Sequence, residues 1–530
     1  MRRKGNCRTH HQPRSRIMAK QDGTRNASQP ALQVIVLGSG GGPQEHNVTA
    51  LLVRSIRSGW GRGSIVALDA GVHLSAITRI LEETQPSGLG AEIALPHVLE
   101  SGPFKGMEIH SPSASTNAAH VTKHLIDAYL ITHPHLDHIS GFVINTAGLP
   151  GTRPKRLAGL PSTISAFKTH IFNNVIWPNL SDENNGAGLV TYTRLVEGGS
   201  PALGEGAGKG YLEVSDDLTV KVFSVSHGHC MERHTHRGST SSSRFGSMDI
   251  SAMPSPRGVQ GSNAASGPSS IFRPSSVGHT SGVQERESIC VYDSSAYFIR
   301  DSISGREVLM FGDVEPDSIS LSPRNIGVWQ EAAPRIAKGN LAAIFIECSY
   351  DDSQTDDRLF GHLTPRYIIQ ELKALAEEVE TARQILVKLK PNKKRKRELE
   401  EANRRTNRAT ARAGGDDGPV SPKSIRPRGG SGSASVPSEN GFDSPHTGTP
   451  ATEIDFKEYE SNMTPASFTS PQKATHPLRG LKVVIIHVKE KLNDDEPARD
   501  TILNELLAHE RDAELGCDFI VSKMGQSLMF

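Results

Sequence analysis

The stretch DAYLITHPHLDHISGFVIN (127–145) decides how the rest of the chain reads. An apolar run, DAYLIT, ends in a turn that holds His133, His135, Asp137 and His138 within six positions, and a helix-like segment, HISGFVINTAG, follows. The chain has 22 histidines in 530 residues, so the pattern HxHxDH should arise by chance on the order of 0.002 times. His133 and His135 are two residues apart in a turn, so both imidazoles can meet one cation. Asp137 and His138 sit where the helix begins and can face a second one nearby. Imidazole nitrogens with a carboxylate oxygen suit Zn²⁺, and also Mn²⁺ or Fe.

A metal site that performs chemistry keeps a position open for water, and a two-metal site draws further ligands from elsewhere in the fold. The sequence offers them beside apolar runs. His227 closes LTVKVFSVSH, Asp313 follows VLMFG, and His487 stands within VVIIHV, in the middle of an aliphatic strand. A carboxylate after such a run is expensive unless it is paired or bound to metal. Taken singly, His487 also reads as a hydrogen-bonded core histidine and Asp313 as a turn residue. Taken with HPHLDH, the set reads as a metal centre.

The apolar runs share one form. QVIVLGSGGG (33–42), SIVALDAG (64–71), LTVKVFSVSHGH (218–229), VLMFGDVEPD (308–317), LAAIFIECSY (341–350) and LKVVIIHVKE (481–490) each end in polar or glycine-rich turns, the signature of buried strands. Between them, PRYIIQELKALAEEVETARQILVK (365–388) sets Ile368, Leu372, Leu375 and Val379 on one helical face behind Pro365. The fold class is therefore α/β, with polar residues gathered at strand ends, where such proteins build their sites.

Not all of the chain enters that fold. Only 36% of residues are hydrophobic, with 50 Gly and 32 Pro, and two segments carry much of the excess. Residues 233–285 are dominated by Ser, Gly and Pro. Residues 391–475 run from PNKKRKRELEEANRR through GGSGSASVPSENG and are poor in aliphatics. Neither buries enough apolar area to offset the entropy of ordering, so both read as disordered insertions. With a basic, acid-free leader (1–30) set aside, roughly 360 residues remain as one domain across 31–530. The leader reads as a disordered segment, or as sequence ahead of a start at Met18, in preference to a transit peptide.

Fifty-nine Lys and Arg against fifty-eight Asp and Glu give a net charge of +1, which supplies no global electrostatic case for nucleic acid or an anionic membrane. No apolar run approaches the ~18 residues of a membrane helix. Five scattered cysteines form no CxxC pair and fit a reducing compartment; with no export or membrane signal visible, the expected location is the cytoplasm. KKRKR (393–397) is either a nuclear-import or nucleic-acid patch or a solvated charge run.

The order HxHxDH, then His, Asp and His, resembles the metallo-β-lactamase superfamily. HPHLDHISGFVIN is similar to the signature of one branch, the class II cyclic-nucleotide phosphodiesterases. GLPSTISAFKTHIFNNVIWPNL (159–180), SSAYFIRD with MFGDVEPDS (294–318), FIECSYDDSQTDDRLFGHLTP (345–365) and VVIIHVK extend the likeness through all the ordered blocks. The resemblance implies an αββα sandwich, interrupted by the two insertions, with two divalent metal ions, zinc foremost, at one edge. In that arrangement His133, His135 and His227 hold one metal. Asp137, His138 and His487 hold the other, and Asp313 bridges them. Asp69, in the LDAG turn, orients a ligand histidine.

The implied reaction opens a 3′,5′-cyclic nucleotide, cAMP ahead of cGMP, by attack of hydroxide drawn from a water shared between cations. The leaving sugar oxygen needs a proton. His362, with Glu347 beside it to fix its tautomer, is the expected donor, and the Glu-then-GHxT order is similar to the proton-donor motif of tRNA-processing nucleases. A cap on the helix starting at Pro365 is the plainer role for His362. HIFNNVIWPNL is the candidate pocket wall, with Trp177 stacking on the base and Asn173 or His170 hydrogen-bonding it; an ordinary packing role for Trp177 stands beside that. Gly38–Gly42 lacks GxGxxG spacing and reads as a tight turn beside the metals.

The expected partners are a cyclic nucleotide, a second copy of the chain as a homodimer, and unknown proteins for the insertions, with no membrane and no nucleic acid. Two other functions fit the same residues: an RNA nuclease of this fold, which would need a basic, aromatic surface, and a catalytically silent scaffold, which lost ligands would favour.

Overall fold

Alternation along the apolar runs builds the layers. Successive side chains of a strand point to opposite faces, and here both faces are covered, so the runs are apolar throughout. Val34 and Val36 enter one core, while Ile35 and Leu37 enter another. Ala343 and Phe345 join the first of these cores, while Ile344 and Ile346 face a third. Three cores separating four layers make an αββα sandwich.

The computed structural model describes residues 29–148, 153–232, 288–410, 476–494 and 496–530. Residues 1–28, all of 233–285 and 411–475 lie outside the described residues. Two units divide the chain: residues 1–382 with 476–530, and residues 383–475. The first carries the sandwich.

Its strands are β1 (Leu32–Gly38), β2 (Ala50–Ser55), β3 (Ile65–Leu68), β4 (Ile126–Leu130), β5 (Lys155–Gly159), β6 (Val190–Arg194), β7 (Leu212–Ser215), β8 (Leu218–Glu232), β9 (Ser288–Asp301), β10 (Glu307–Phe311), β11 (Leu341–Glu347), β12 (Lys482–Ile486), β13 (Asp518–Val521) and β14 (Ser527–Met529). One sheet has the order β14-β1-β2-β3-β4-β5-β6 and the other β13-β12-β11-β10-β9-β8-β7. Both are antiparallel in one half and parallel in the other, the parallel pairs being β3 to β6 and β10 to β13.

Helices cover the outer faces. Leu74–Thr84 and Leu136–Ala147 pack on the first sheet. Asn325–Ala337, the start of Pro365–Thr410, and Ala498–Ala513 pack on the second. Ile368, Leu372, Leu375 and Val379 are all buried, as their spacing predicts. Among the described residues no helix is long and apolar enough to cross a membrane.

Two expectations need correction. The helix beginning at Pro365 continues to Thr410, so residues 391–410, expected to be disordered and including KKRKR, have helical backbone. The segment is rich in Lys, Arg, Glu and Ala, all strong helix formers; poverty in aliphatics spoke against a core, not against a helix. His487 does not interrupt a strand either. β12 ends at Ile486, and His487 turns away at φ +59.

Candidate metal centre

Polar side chains gather where parallel strands end, at the carboxyl edge that α/β sheets use for ligands. Asp69 follows β3, His133 and His135 follow β4, Asp313 follows β10, Glu347 ends β11 and His487 follows β12. His227 arrives differently: it lies inside β8, at a break in register between Ser226 and His229. The sequence reading set His227 at a strand end, but the strand continues past it. A bulge re-aims a side chain out of the ladder, and here it turns His227 toward the others.

Asp313 is the centre of the group. Its carboxylate lies 3.6 Å from His133 Nε2, 3.5 Å from His227 Nε2, 3.3 Å from His487 Nε2 and 3.1 Å from His138 Nε2. Asp137 stands 3.7 Å from His487 Nε2 and 3.8 Å from His138 Nε2. The donor atoms form two sets, each within 4.8 Å of one another: His133, His135, His227 and Asp313, and Asp137, His138, Asp313 and His487. These are the two sets named in the sequence.

The outward nitrogens are fixed by what holds the inward ones. His138 Nδ1 donates to Asp69 Oδ2 at 2.8 Å, and Asp69 is itself held by the Thr132 amide and hydroxyl, both at 2.8 Å. His227 Nδ1 donates to Gly361 O at 2.8 Å. His487 Nδ1 meets the Thr49 hydroxyl at 2.7 Å, and His133 Nδ1 meets that of Thr132 at 3.0 Å. Such partners set the tautomer that leaves Nε2 for a cation. The Nε2 atoms of His133, His138 and His487 and Oδ1 of Asp313 are buried and lack an aligned hydrogen-bond partner. Buried polar atoms are seldom left so. Four of them converging on one space fit the coordination of divalent cations.

The electrostatics agree with that fit. Burial holds the His133 and His487 imidazoles well below the ordinary histidine pKa and brings His135 to about 4. A neutral imidazole keeps a lone pair for a cation, on Nε2 in His133 and His487, whose Nδ1 atoms are held by threonine hydroxyls. Burial would raise Asp313, but the histidines around it, His138 foremost, hold its carboxyl well below the usual range. His138 is the exception: burial pulls it down, and the Asp313 and Asp69 carboxylates outweigh burial and raise it.

Asp313, Glu347 and His362 form a third group of buried donor atoms, but Glu347 has no oxygen to spare. It accepts from Val314 N at 3.0 Å, His362 Nδ1 at 2.8 Å, the Ser349 hydroxyl at 2.7 Å and Leu363 N at 3.4 Å. That arrangement orients His362. Its Nε2 lies 3.0 Å from Lys489 Nζ, and an ammonium can only donate, so Nε2 accepts there.

Close approach explains two glycines. A Cβ on Gly41 would lie 2.5 Å from His487 Nε2, and one on Gly361 would lie 2.5 Å from Gly228 N. The Gly38–Gly42 run therefore lies against the cluster, as expected of a turn.

The pocket-wall residues are placed otherwise. Asn173 Oδ1 accepts from Val175 N and Ile176 N, and its Nδ2 donates to Thr169 O, so the side chain closes its own turn. Trp177 packs half-buried against the outer core of the first sheet, and His170 is exposed. The structure does not join these three to the histidine cluster by any hydrogen bond or ring contact among the described residues. Sequence reasoning missed Thr49, Thr132, Ser349 and Lys489; the last three each lie within two residues of a named candidate, and Thr49 alone carried no such signal.

Comparison with known proteins follows the same line. A family model described as class-II cAMP phosphodiesterases matches residues 34–391. The 3′,5′-cyclic-nucleotide phosphodiesterase of Schizosaccharomyces pombe is 29% identical over 345 residues, which cover 65% of this chain and 75% of that protein. The protein of the same name from Candida albicans is 27% identical over 394 residues, covering 66% and 83%. Among solved structures, unliganded yeast PDE1 matches with a TM-score of 0.55 at 18% identity, over 95% of this chain and 100% of that one, a likeness of fold.

Proposed function

The chain belongs to the class-II cAMP phosphodiesterases, and from that membership we propose that it hydrolyses 3′,5′-cyclic nucleotides, cAMP and also cGMP, to nucleoside 5′-monophosphates, lowering a cyclic-nucleotide signal. The observation that carries the reading is the convergence of six ligand-type side chains on Asp313, three of them, His133, His138 and His487, with orphaned Nε2 atoms. His133, His135 and His227 would hold one divalent cation, Asp137, His138 and His487 a second, and Asp313 would touch both; zinc suits so imidazole-rich a set. Two such cations supply Lewis-acid charge against the phosphate and a water of lowered pKa.

The chain's own groups do the rest. Asp69, Thr49 and Gly361 O keep three imidazoles in the tautomer that faces the cleft. Yielding a 5′-monophosphate requires the P–O3′ bond to break, and the departing 3′-oxygen must be protonated. His362 is the donor in this scheme: Glu347 holds its Nδ1–H, and Nε2, once protonated and so released from accepting the Lys489 hydrogen bond, presents its proton to that oxygen. Lys489, 3.0 Å from that nitrogen, adds a positive charge beside the developing alkoxide.

Assay of the purified, zinc-loaded protein on cAMP, cGMP and a structured RNA tests the reading. Release of 5′-AMP and 5′-GMP with the RNA intact is expected. Cleavage of RNA alone would make the chain a nuclease, and absence of bound metal would make it a scaffold.

A further inference from the structure

Phe360 lies at φ +53 with its side chain 71% exposed. The left-handed region is strained for a bulky residue, and such strain collects at functional sites. Nothing in the core calls for it, since an exposed ring buries little. The position explains it better. Phe360 adjoins Gly361, whose carbonyl takes the His227 Nδ1–H bond, and it precedes His362 by two residues. Its own carbonyl lies 3.6 Å from where a Cβ on Gly228 would sit, so the turn rests on the β8 bulge.

Two more apolar side chains are exposed beside the same ligands. Tyr292, 45% exposed, lies between Val291, which pairs with His229, and Asp293, which pairs with Ser226. It therefore stands opposite the bulge, and its ring is 6.4 Å from that of His135. Leu136, between His135 and Asp137, is 68% exposed. Single exposed apolar residues need no explanation, but these three lie on separate segments, each adjoining a histidine of the cluster or a group bonded to one.

We infer that Phe360 and Tyr292, with Leu136, are the platform on which the base of the cyclic nucleotide stacks, in place of Trp177. The inference rests on the proposed hydrolysis of cyclic nucleotides. Once the phosphate faces the clustered histidines, the base extends one sugar ring outward, to the rim. Aromatic faces there bind any base by stacking, without reading its edges, which suits an enzyme acting on both adenine and guanine nucleotides. The left-handed turn at Phe360 holds the ring out to be used.

The test compares kcat/KM on cAMP with that on the 3′,5′-cyclic phosphate of 1-deoxyribose, which lacks a base. Phe360→Ala should lower the ratio of the two by roughly ten- to a hundredfold, the range that loss of base stacking gives, with bound zinc unchanged. Phe360→Trp should retain the ratio, and Tyr292→Ala should lower it. Phe360→Gly, which suits the positive φ, should raise the melting temperature while losing the same selectivity. An unchanged ratio in both alanine variants, or an equal loss on both substrates, would overturn the inference. A wild type inert on cAMP would instead overturn the phosphodiesterase reading.

Discussion

Thr49→Val exchanges one buried hydroxyl for a methyl of nearly the same shape, so it tests the hold on His487 with little change in packing. The Thr49 hydroxyl donates to Gly40 O at 3.3 Å and lies 2.7 Å from His487 Nδ1. With its proton committed, the oxygen accepts from the imidazole, so Nδ1 carries hydrogen and Nε2 keeps its lone pair toward Asp137 and Asp313. In the valine variant Nδ1–H has no acceptor, and His487 is only 1% exposed, so water does not replace it. An unmade buried hydrogen bond costs about 1–3 kcal/mol, while the added methyl returns at most about 0.8 kcal/mol. The loss wins. Affinity for the cation held by Asp137, His138 and His487 should fall about 10–100-fold, or about 1.4–2.7 kcal/mol. Zinc titration of the metal-stripped protein in a competing chelator resolves two dissociation constants; one should weaken, the other hold, and Thr49→Ser should restore both. Two unchanged constants would refute the tautomer argument, and two equally weakened ones would show a general loss of fold.

Other outcomes follow from neighbouring contacts. His362→Ala should keep both cations by metal analysis yet slow turnover by roughly 10²–10⁴-fold, the range of a general acid; an unchanged kcat would leave His362 a structural role. Lys489→Met should lower kcat/KM on cAMP about 10–100-fold with metal content unchanged, and Lys489→Arg should recover part of it, if the charge beside His362 Nε2 acts on the leaving oxygen; equal rates in all three proteins would dismiss that role. His73 reports on acid stability: burial, with Lys155 adding to it, lowers its pKa from 6.5 to about 3, and its Nε2 bonds Tyr129 at 3.0 Å. The unfolded chain therefore binds a proton that the folded one refuses. The stabilisation is whole above pH 6.5 and falls by about 1.4 kcal/mol per unit as pH drops toward 3. Urea melts of metal-loaded protein at pH 7.5, 6 and 5 should show a shallower decline in His73→Asn, and identical slopes would remove His73 from the account.

The sandwich was legible because its strands are buried on both faces, and continuous apolar runs such as VIVLG and IFIE leave little other reading. The cluster was legible for the complementary reason, that His133, Asp313 and His487 are costly beside such runs without a ligand to hold. Register and backbone handedness were not. His227 needed a bulge whose one sign in the sequence is Gly228, at φ +76, and His487 needed a left-handed turn just past the end of β12. The supports were hidden further: a threonine at 49 is ordinary until a strand end 438 positions away lies against it. Asn173 closes its own turn, as asparagine readily does, and Trp177 packs on the outer core of the first sheet, since bulk suits a core as well as a pocket. The helix past residue 390 was lost by weighing aliphatic content over helix propensity.

The candidate ligands are divided between the sheets. His133, His135, Asp137 and His138 follow β4 of the first sheet, and His227, Asp313 and His487 belong to the second. Neither sheet alone can complete either cation site. Metal uptake by the proposed centre would be a clasp across the seam of the sandwich, and the seam and the clasp would open together. A cation present at a thousand times its dissociation constant would add about 4 kcal/mol to folding for each site, all of it resisting separation of the two sheets. Chelators should therefore act on this chain as denaturants of its middle interface, loosening the contact between the sheets while leaving the pairing within each sheet to melt later.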